Sequence, residues 1–218
     1  MSLQLVVGSK NYSSWSMRAG VALLHTGLAH EEIVIPLGQP DTRENIARYS
    51  AAGLVPILIN DAHTIWDSLA IIEYLAEIGP ANRMWPSDPA ARATARSMSA
   101  EMHAGFGALR RDLPMNCRRR YDNFTLGEDA ARDVARICDL WRDARNGYGR
   151  PAGGDFLFGD FSGADAMFAP VVSRFVTYGV STDATVSDYV AAVMGHPTVR
   201  SWIVSAKQEP VIARYEFD

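Results

Sequence analysis

The period of the apolar residues changes once along this chain, and that change constrains the fold more than any other feature. Up to residue 78, short apolar runs of strand character take turns with runs at i, i+3, i+4 spacing. From Asp88 onward every periodic stretch has the helical period. Gly79, Pro80, Asn82 and Ser87 cluster between the two regimes, so the boundary is read at 79–88, with domains over 1–80 and 89–218 and a linker over 81–88. A chain of 218 residues accommodates two small domains, and with 48% apolar and 21% charged residues each can bury a core.

In the first region Leu3–Val7 reads as a strand ended by Gly8, and Met17–His25 as a helix stopped by Gly27. Ile33–Ile35, closed by Pro36, reads as an outer strand, and Thr42–Tyr49 as a short helix capped by Asp41 or Thr42. Pro56–Asn60 and His63–Trp66 form a hairpin about Asp61-Ala62, and Asp67–Ile78 is an amphipathic helix. The order is β-α-β-α-β-β-α. In the second region Pro89–Asp112, Gly127–Asn146, Ser162–Tyr178, Thr185–Met194 and Thr198–Gln208 read as helices. Leu113–Leu126 reads as a bend and Asn146–Asp160 as a loop. Ser162–Tyr178 is apolar on nearly every face and is expected at the centre, with Ser162 and Asp165 as a capping box and a bend at Pro170.

Several function classes fall away on composition. A net charge of −4 does not suit general phosphate-backbone binding. No apolar run approaches the ~20 residues of a membrane span, and the start MSLQLVVGSKNY lacks the pattern of a secretory leader, so a cytoplasmic protein is expected. Cys117 and Cys138 are too few and too far apart for a disulfide scaffold, and are expected to be buried and inert. The five histidines lack metal-ligand spacing, so no metal site is expected.

A β-α-β-α-β-β-α order with a proline opening the third strand resembles the thioredoxin-like plan. There the reactive group sits between the first strand and the first helix, where unpaired N–H groups and the helix dipole stabilise a thiolate. Redox members carry CxxC at that place, whereas this chain reads Ser13-Ser14-Trp15-Ser16. Dithiol exchange by the protein's own residues is excluded, and any sulfur must come from a ligand.

Four segments then resemble the glutathione transferase family in order and spacing. Asn11–Arg18 (NYSSWSMR) is similar to the SSCSWR segment of the zeta, or maleylacetoacetate isomerase, class. Val55-Pro56-Ile57-Leu58 resembles the VPxL segment, and Asp67–Leu75 (DSLAIIEYL) the Q/E-S-x-A-I-x-x-Y-L segment, with Ser68 twelve positions after Pro56 as in that class. Ser162-Gly163-Ala164-Asp165 with Pro170 resembles the [ST]-x-A-D…P signature. The resemblance spans about residues 3–205. It implies an all-α C-terminal domain that holds a small hydrophobic electrophile, and glutathione as co-substrate in the N-terminal domain.

It also implies roles for particular residues. Val55, before a cis Pro56, offers main-chain groups to glutathione's cysteine; Ser68 and nearby N–H groups take the γ-glutamyl carboxylate, and Asp67 its ammonium. Tyr12, Ser13 and Ser14 compete as donor to the thiol; counting back 14 positions from Gly27 favours Ser13, and Tyr12 and Ser13 are also expected against the tripeptide. Trp15 stands where the zeta segment has cysteine, and Asp67 where that class has Gln, departures that bear on isomerase identity. Transferase activity leads; isomerase, peroxidase or dehalogenase activity, or a non-enzymatic binding module, are the alternatives. Arg118-Arg119-Arg120, with Arg110, Arg111 and Tyr121, reads either as a solvated turn or as a pocket for an acidic acceptor. Ala93–Leu109, with Met98, Met102 and Phe106 among small residues, is the sequence motive for a homodimer, in which Glu101 would reach toward the glutathione ammonium of the partner.

Overall fold

β1 (Leu3–Gly8) is the strand about which the sheet is built. β2 (His30–Ile35) runs parallel to it on one side and β3 (Ile57–Asn60) antiparallel on the other; β4 (His63–Trp66) completes the order β2-β1-β3-β4. The computed structural model describes residues 3–80 and 84–216. Side chains of a strand alternate between faces. Leu3, Leu5 and Val7 therefore enter the main core, while Val6 joins Ile35, Ile46 and Ile57 in a smaller one behind the sheet. Helices α1 (Ser14–Thr26) and α3 (Ser68–Ile78) cover the first face, and α2 (Thr42–Ala47) covers the second through Ile46. The β-α-β-α-β-β-α order is the one read from the sequence.

The remainder is helical: α4 (Pro89–Ala104), α5 (Gly107–Asp112), α6 (Glu128–Ala144), α7 (Gly163–Thr177), α8 (Ala184–Gly195) and α9 (Pro197–Gln208). All of α7 but Val176 is buried, and it packs against α1, α4 and α8. At its start the Asp165 carboxylate accepts the Ser162 N–H and hydroxyl, both at 2.8 Å, and the Leu157 N–H at 3.2 Å. α9 closes on α1 where Trp202 lies over Gly20, a place with no room for a Cβ.

Several sequence expectations need correction. The helix expected over Pro89–Asp112 is two: Gly105 is extended and Phe106 left-handed at φ 58°, which breaks the ladder, and the Arg110 guanidinium turns back to the carbonyls of Met102, His103 and Gly105. α1 begins at Ser14 rather than Met17, because Ser13 caps it. The loop expected from Asn146 opens with a π-helical turn, Arg145–Gly149. Met98, Met102 and Phe106 are buried within this chain, so the apolar stripe of α4 is core rather than a free face. The Glu101 carboxylate accepts two hydrogen bonds from Arg136 of α6, at 2.7 and 2.9 Å. Of the linker read over 81–88, residues 81–83 lie outside the described residues.

Candidate functional site

The site forms where β1 ends, α1 begins, and the β3 and α3 entries converge. Ser13 is the N-cap of α1: its hydroxyl oxygen accepts the Ser16 N–H at 3.3 Å, and its O–H donates to Ser16 Oγ at 2.8 Å. Ser16 Oγ is fully buried and also accepts the Gly8 N–H at 3.0 Å, tying the cap to the end of β1. Ser14, the first residue of the helix, has no hydrogen bond from its hydroxyl among the described residues. The Tyr12 hydroxyl is engaged elsewhere: it donates to Glu216 at 2.5 Å and accepts the Ile212 N–H at 3.1 Å. Burial and the Glu216 carboxylate raise its pKa.

Two clefts flank the Trp15 ring. The smaller, about 190 Å³, is lined by Trp15, Leu54, Val55, Pro56, Trp66, Asp67 and Ser68. The Val55–Pro56 bond is cis. Asp67 is held at φ 77° as the N-cap of α3, with Oδ1 accepting the Leu69 N–H at 2.8 Å. Such a backbone angle is uncommon for a residue with a Cβ and marks a position held by its surroundings. Ser68 is fully buried, and its Oγ has no hydrogen-bond partner among the described residues. A buried hydroxyl without a partner costs ~1–3 kcal/mol unless a ligand completes it. Val55, Pro56, Asp67 and Ser68, singled out in the sequence, are thus brought to one cleft.

The larger cleft, about 490 Å³, contains Tyr12, Ser13, Ser14 and Trp15 on one wall, with Arg110, Arg174 and Arg214 among its other lining residues and no carboxylate among the described residues that line it. Arg174 is buried in α7, donating to Leu113 O at 2.7 Å; burial and Arg110 lower its pKa to about 10. Arg18 lies beneath Trp15, 4.4 Å from the ring, with Nε and one terminal nitrogen unpartnered. Burial, with Arg110 and Arg174 nearby, lowers its pKa to about 9, against the pull of Asp67. At such values these guanidinium groups still carry charge at neutral pH, so positive charge surrounds this cleft.

The basic run, read either as a solvated turn or as a pocket for an acidic acceptor, does not line this cleft. Arg118 donates to Glu209 O at 2.5 Å, Arg119 to Glu216 at 2.6 Å, and Arg120 to Arg119 O at 2.6 Å. Arg118 and Arg119 fasten the 209–216 tail, and Arg111 pairs with Asp112 on the surface. Of the basic residues named from the sequence, only Arg110 lines the cleft. Arg174, Arg214 and Tyr215 were missed. Arg174 had a legible signal, a lone arginine in an otherwise apolar helix; Arg214 and Tyr215 had none, because the tail's return across the site is set by tertiary contacts. Cys117 and Cys138 are buried and their thiols are pushed up to about 11, so neither is a nucleophile at neutral pH.

Residues 12–78 match the family model described as glutathione S-transferase, N-terminal domain. A probable maleylacetoacetate isomerase of Caenorhabditis elegans is 34% identical over 97 residues, 44% of this chain and 45% of that protein. The match thus spans a little under half the length of that relative. Glutathione S-transferase omega-2 of Mus musculus is 24% identical over 212 residues, 96% of this chain and 77% of that protein. A solved glutathione transferase homologue from Burkholderia gl BGR1, with bound glutathione, superposes with a TM-score of 0.72 at 27% identity, covering 96% of this chain and all of that one. Residues 12–78 thus match the N-terminal domain of the glutathione S-transferase family, and the whole chain is similar in fold to a solved glutathione transferase homologue.

Proposed function

We propose that the chain binds glutathione across the two clefts and activates its thiol at the start of α1 for attack on an electrophile. The observation that carries the reading is the Ser68 hydroxyl, buried and unpartnered beside the cis Val55–Pro56 bond at the N-terminus of α3. That position suits a carboxylate, which the hydroxyl and the helix-start N–H groups would receive together. Asp67 would take the neighbouring ammonium, and Val55 would pair its main chain with the cysteine residue of the tripeptide. The thiol then lies toward Ser13 and Ser14.

Ser13 is the proposed donor to sulfur. Its oxygen accepts a helix N–H, and its hydroxyl partner Ser16 accepts the Gly8 N–H. Hydroxyl rotors exchange donor and acceptor roles. With Ser16 donating to Ser13, the Ser13 proton is free for sulfur at the end of a polarised chain of hydrogen bonds. Ser14, whose hydroxyl is uncommitted, is the second candidate. Lowering a thiol pKa from ~8.5 by ~2 units raises the thiolate fraction at pH 7 some 20–30-fold. No residue of the chain forms a covalent bond in this scheme. Retention on immobilised glutathione, followed by titration calorimetry, tests it; no binding by the folded chain refutes it.

The larger cleft favours an electrophile that carries a carboxylate, because three arginines line it and none of its described lining residues is acidic. This sharpens the hydrophobic acceptor expected from the family resemblance, and suits an isomerase as well as a conjugating enzyme. Arg214→Ala should lower kcat/KM for a carboxylate-bearing electrophile about tenfold while sparing its neutral ester; equal effects on both would contradict it. A cytoplasmic homodimer remains part of the proposal, on the family resemblance.

A further inference from the structure

We propose that His103 is a positioning residue that fixes the Asp67 carboxylate for the ligand's ammonium, and so selects an amine-bearing ligand in the smaller cleft. The inference rests on the glutathione reading above and assigns a residue that none of the family-like segments contains.

His103 lies in the last turn of α4, in the helical part of the chain, and reaches across to the start of α3. Its Nε2 is 3.5 Å from Asp67 Oδ2. The edge of its ring meets the Trp15 ring, with centroids 5.2 Å apart at 81°. Nδ1 is buried without a partner, so Asp67 is the one polar group the imidazole faces among the described residues. The backbone under His103 is pinned as well, because its carbonyl accepts from the Arg110 guanidinium at 3.1 Å.

These contacts divide the work on one carboxylate. Oδ1 is held by the Leu69 N–H. Oδ2 lies beside the His103 ring nitrogen, and Asp67 lines the smaller cleft, where a carboxylate held through one oxygen alone would lose rotamer freedom on binding a cation. With the imidazole beside it, that loss is met before the ligand arrives, which is how pre-organisation raises affinity. The charges around the pair are Arg18 beneath Trp15 and Arg110 behind His103. Neither donates a hydrogen bond to Asp67, so His103 is the side chain that orients it. Because His103 acts through Asp67, its effect belongs to ligands whose amine meets Asp67.

Glutathione and its des-amino analogue, glutaryl-cysteinyl-glycine, separate this role from simple packing. In titration calorimetry with the full chain, His103→Ala should weaken glutathione about tenfold and leave the analogue's affinity unchanged. His103→Gln, which keeps an N–H donor near the same place, should restore most of the loss. This second variant also keeps the proposal testable if the alanine variant misfolds. Equal weakening of both ligands, or no recovery in His103→Gln, overturns the proposal while leaving the glutathione reading standing. Absence of glutathione binding by the unaltered chain overturns that reading and this one with it.

Discussion

At the residue scale, the account turns on hydroxyls and charges at two helix starts. Ser13→Ala should raise the pKa of the bound thiol and lower conjugation at neutral pH about 10–100-fold, with little change in glutathione affinity. Ser13 also caps α1, so part of its loss would appear as ~1 kcal/mol of stability, measurable by denaturant titration. If Ser14→Ala raises the thiol pKa and Ser13→Ala does not, the donor is Ser14. Removing a partner from a charged hydrogen bond costs ~1.5–3 kcal/mol, so Asp67→Ala should weaken glutathione binding ~10–150-fold. Unchanged affinity in Asp67→Ala would refute the ammonium pairing. Val55, Pro56, Asp67 and Ser68 could be named from the sequence because each sits at a local landmark: a proline opening a strand, or a cap opening a helix. His103, Arg174 and Arg214 could not, because only the packing of distant elements brings them to the clefts.

At the element scale, α7 is the part that joins the two halves, and its start is governed by Asp165. Burial raises the Asp165 pKa to about 6, against the hydrogen bonds from Leu157 and Ser162 that favour the charged form. A carboxyl whose folded pKa lies above its unfolded value binds more protons when folded. Its contribution to stability therefore falls as the pH rises from about 4 to 6, by up to about 3 kcal/mol. Asp165→Asn should make the slope of unfolding free energy against pH more positive over that window; an unchanged slope contradicts the assignment. The capping pair was legible in Ser162-x-x-Asp165 because capping is local. The break at Gly105-Phe106 was not, because Pro89–Asp112 keeps helical spacing throughout, and only the left-handed Phe106 and the returning Arg110 end α4. The tail is a further case. Glu216 receives hydrogen bonds from Tyr12, Asn116 and Arg119 that outweigh its burial and hold its pKa below the usual carboxylate range.

At the scale of the whole molecule, one close approach locks α9 onto the sheet-bearing half. Trp202 lies over Gly20 and donates to Lys10 O at 3.2 Å, with the Lys10 ammonium 4.6 Å from its ring. Gly20→Ala would force the indole aside and should destabilise the protein by ~1–3 kcal/mol, read as a lower thermal midpoint. The dimer expected from the family loses its sequence motive, since the methionines of α4 are internal. Leu54 and Trp66, 71% and 57% exposed, are instead large apolar side chains left at the rim of the smaller cleft. Sedimentation at micromolar concentration should give about twice the 23.9 kDa of the chain; a species of the chain mass removes the dimer and leaves the site intact. The thioredoxin-like order of the first half was legible because strand and helix periods alternate there. The lining of the larger cleft was not, because it is assembled from α1, α5, α7 and the tail without a shared motif.

The central claim is that the start of α1 stabilises a ligand thiolate, and a direct titration of the bound thiol tests it. The thiolate absorbs in the near-ultraviolet, so its band can be followed against pH in the glutathione complex. The account predicts a midpoint about 2 units below that of the free thiol, near 6.5, and its return toward ~8.5 in Ser13→Ala or Ser14→Ala. A bound thiol that titrates at the free value in the unaltered protein would contradict it.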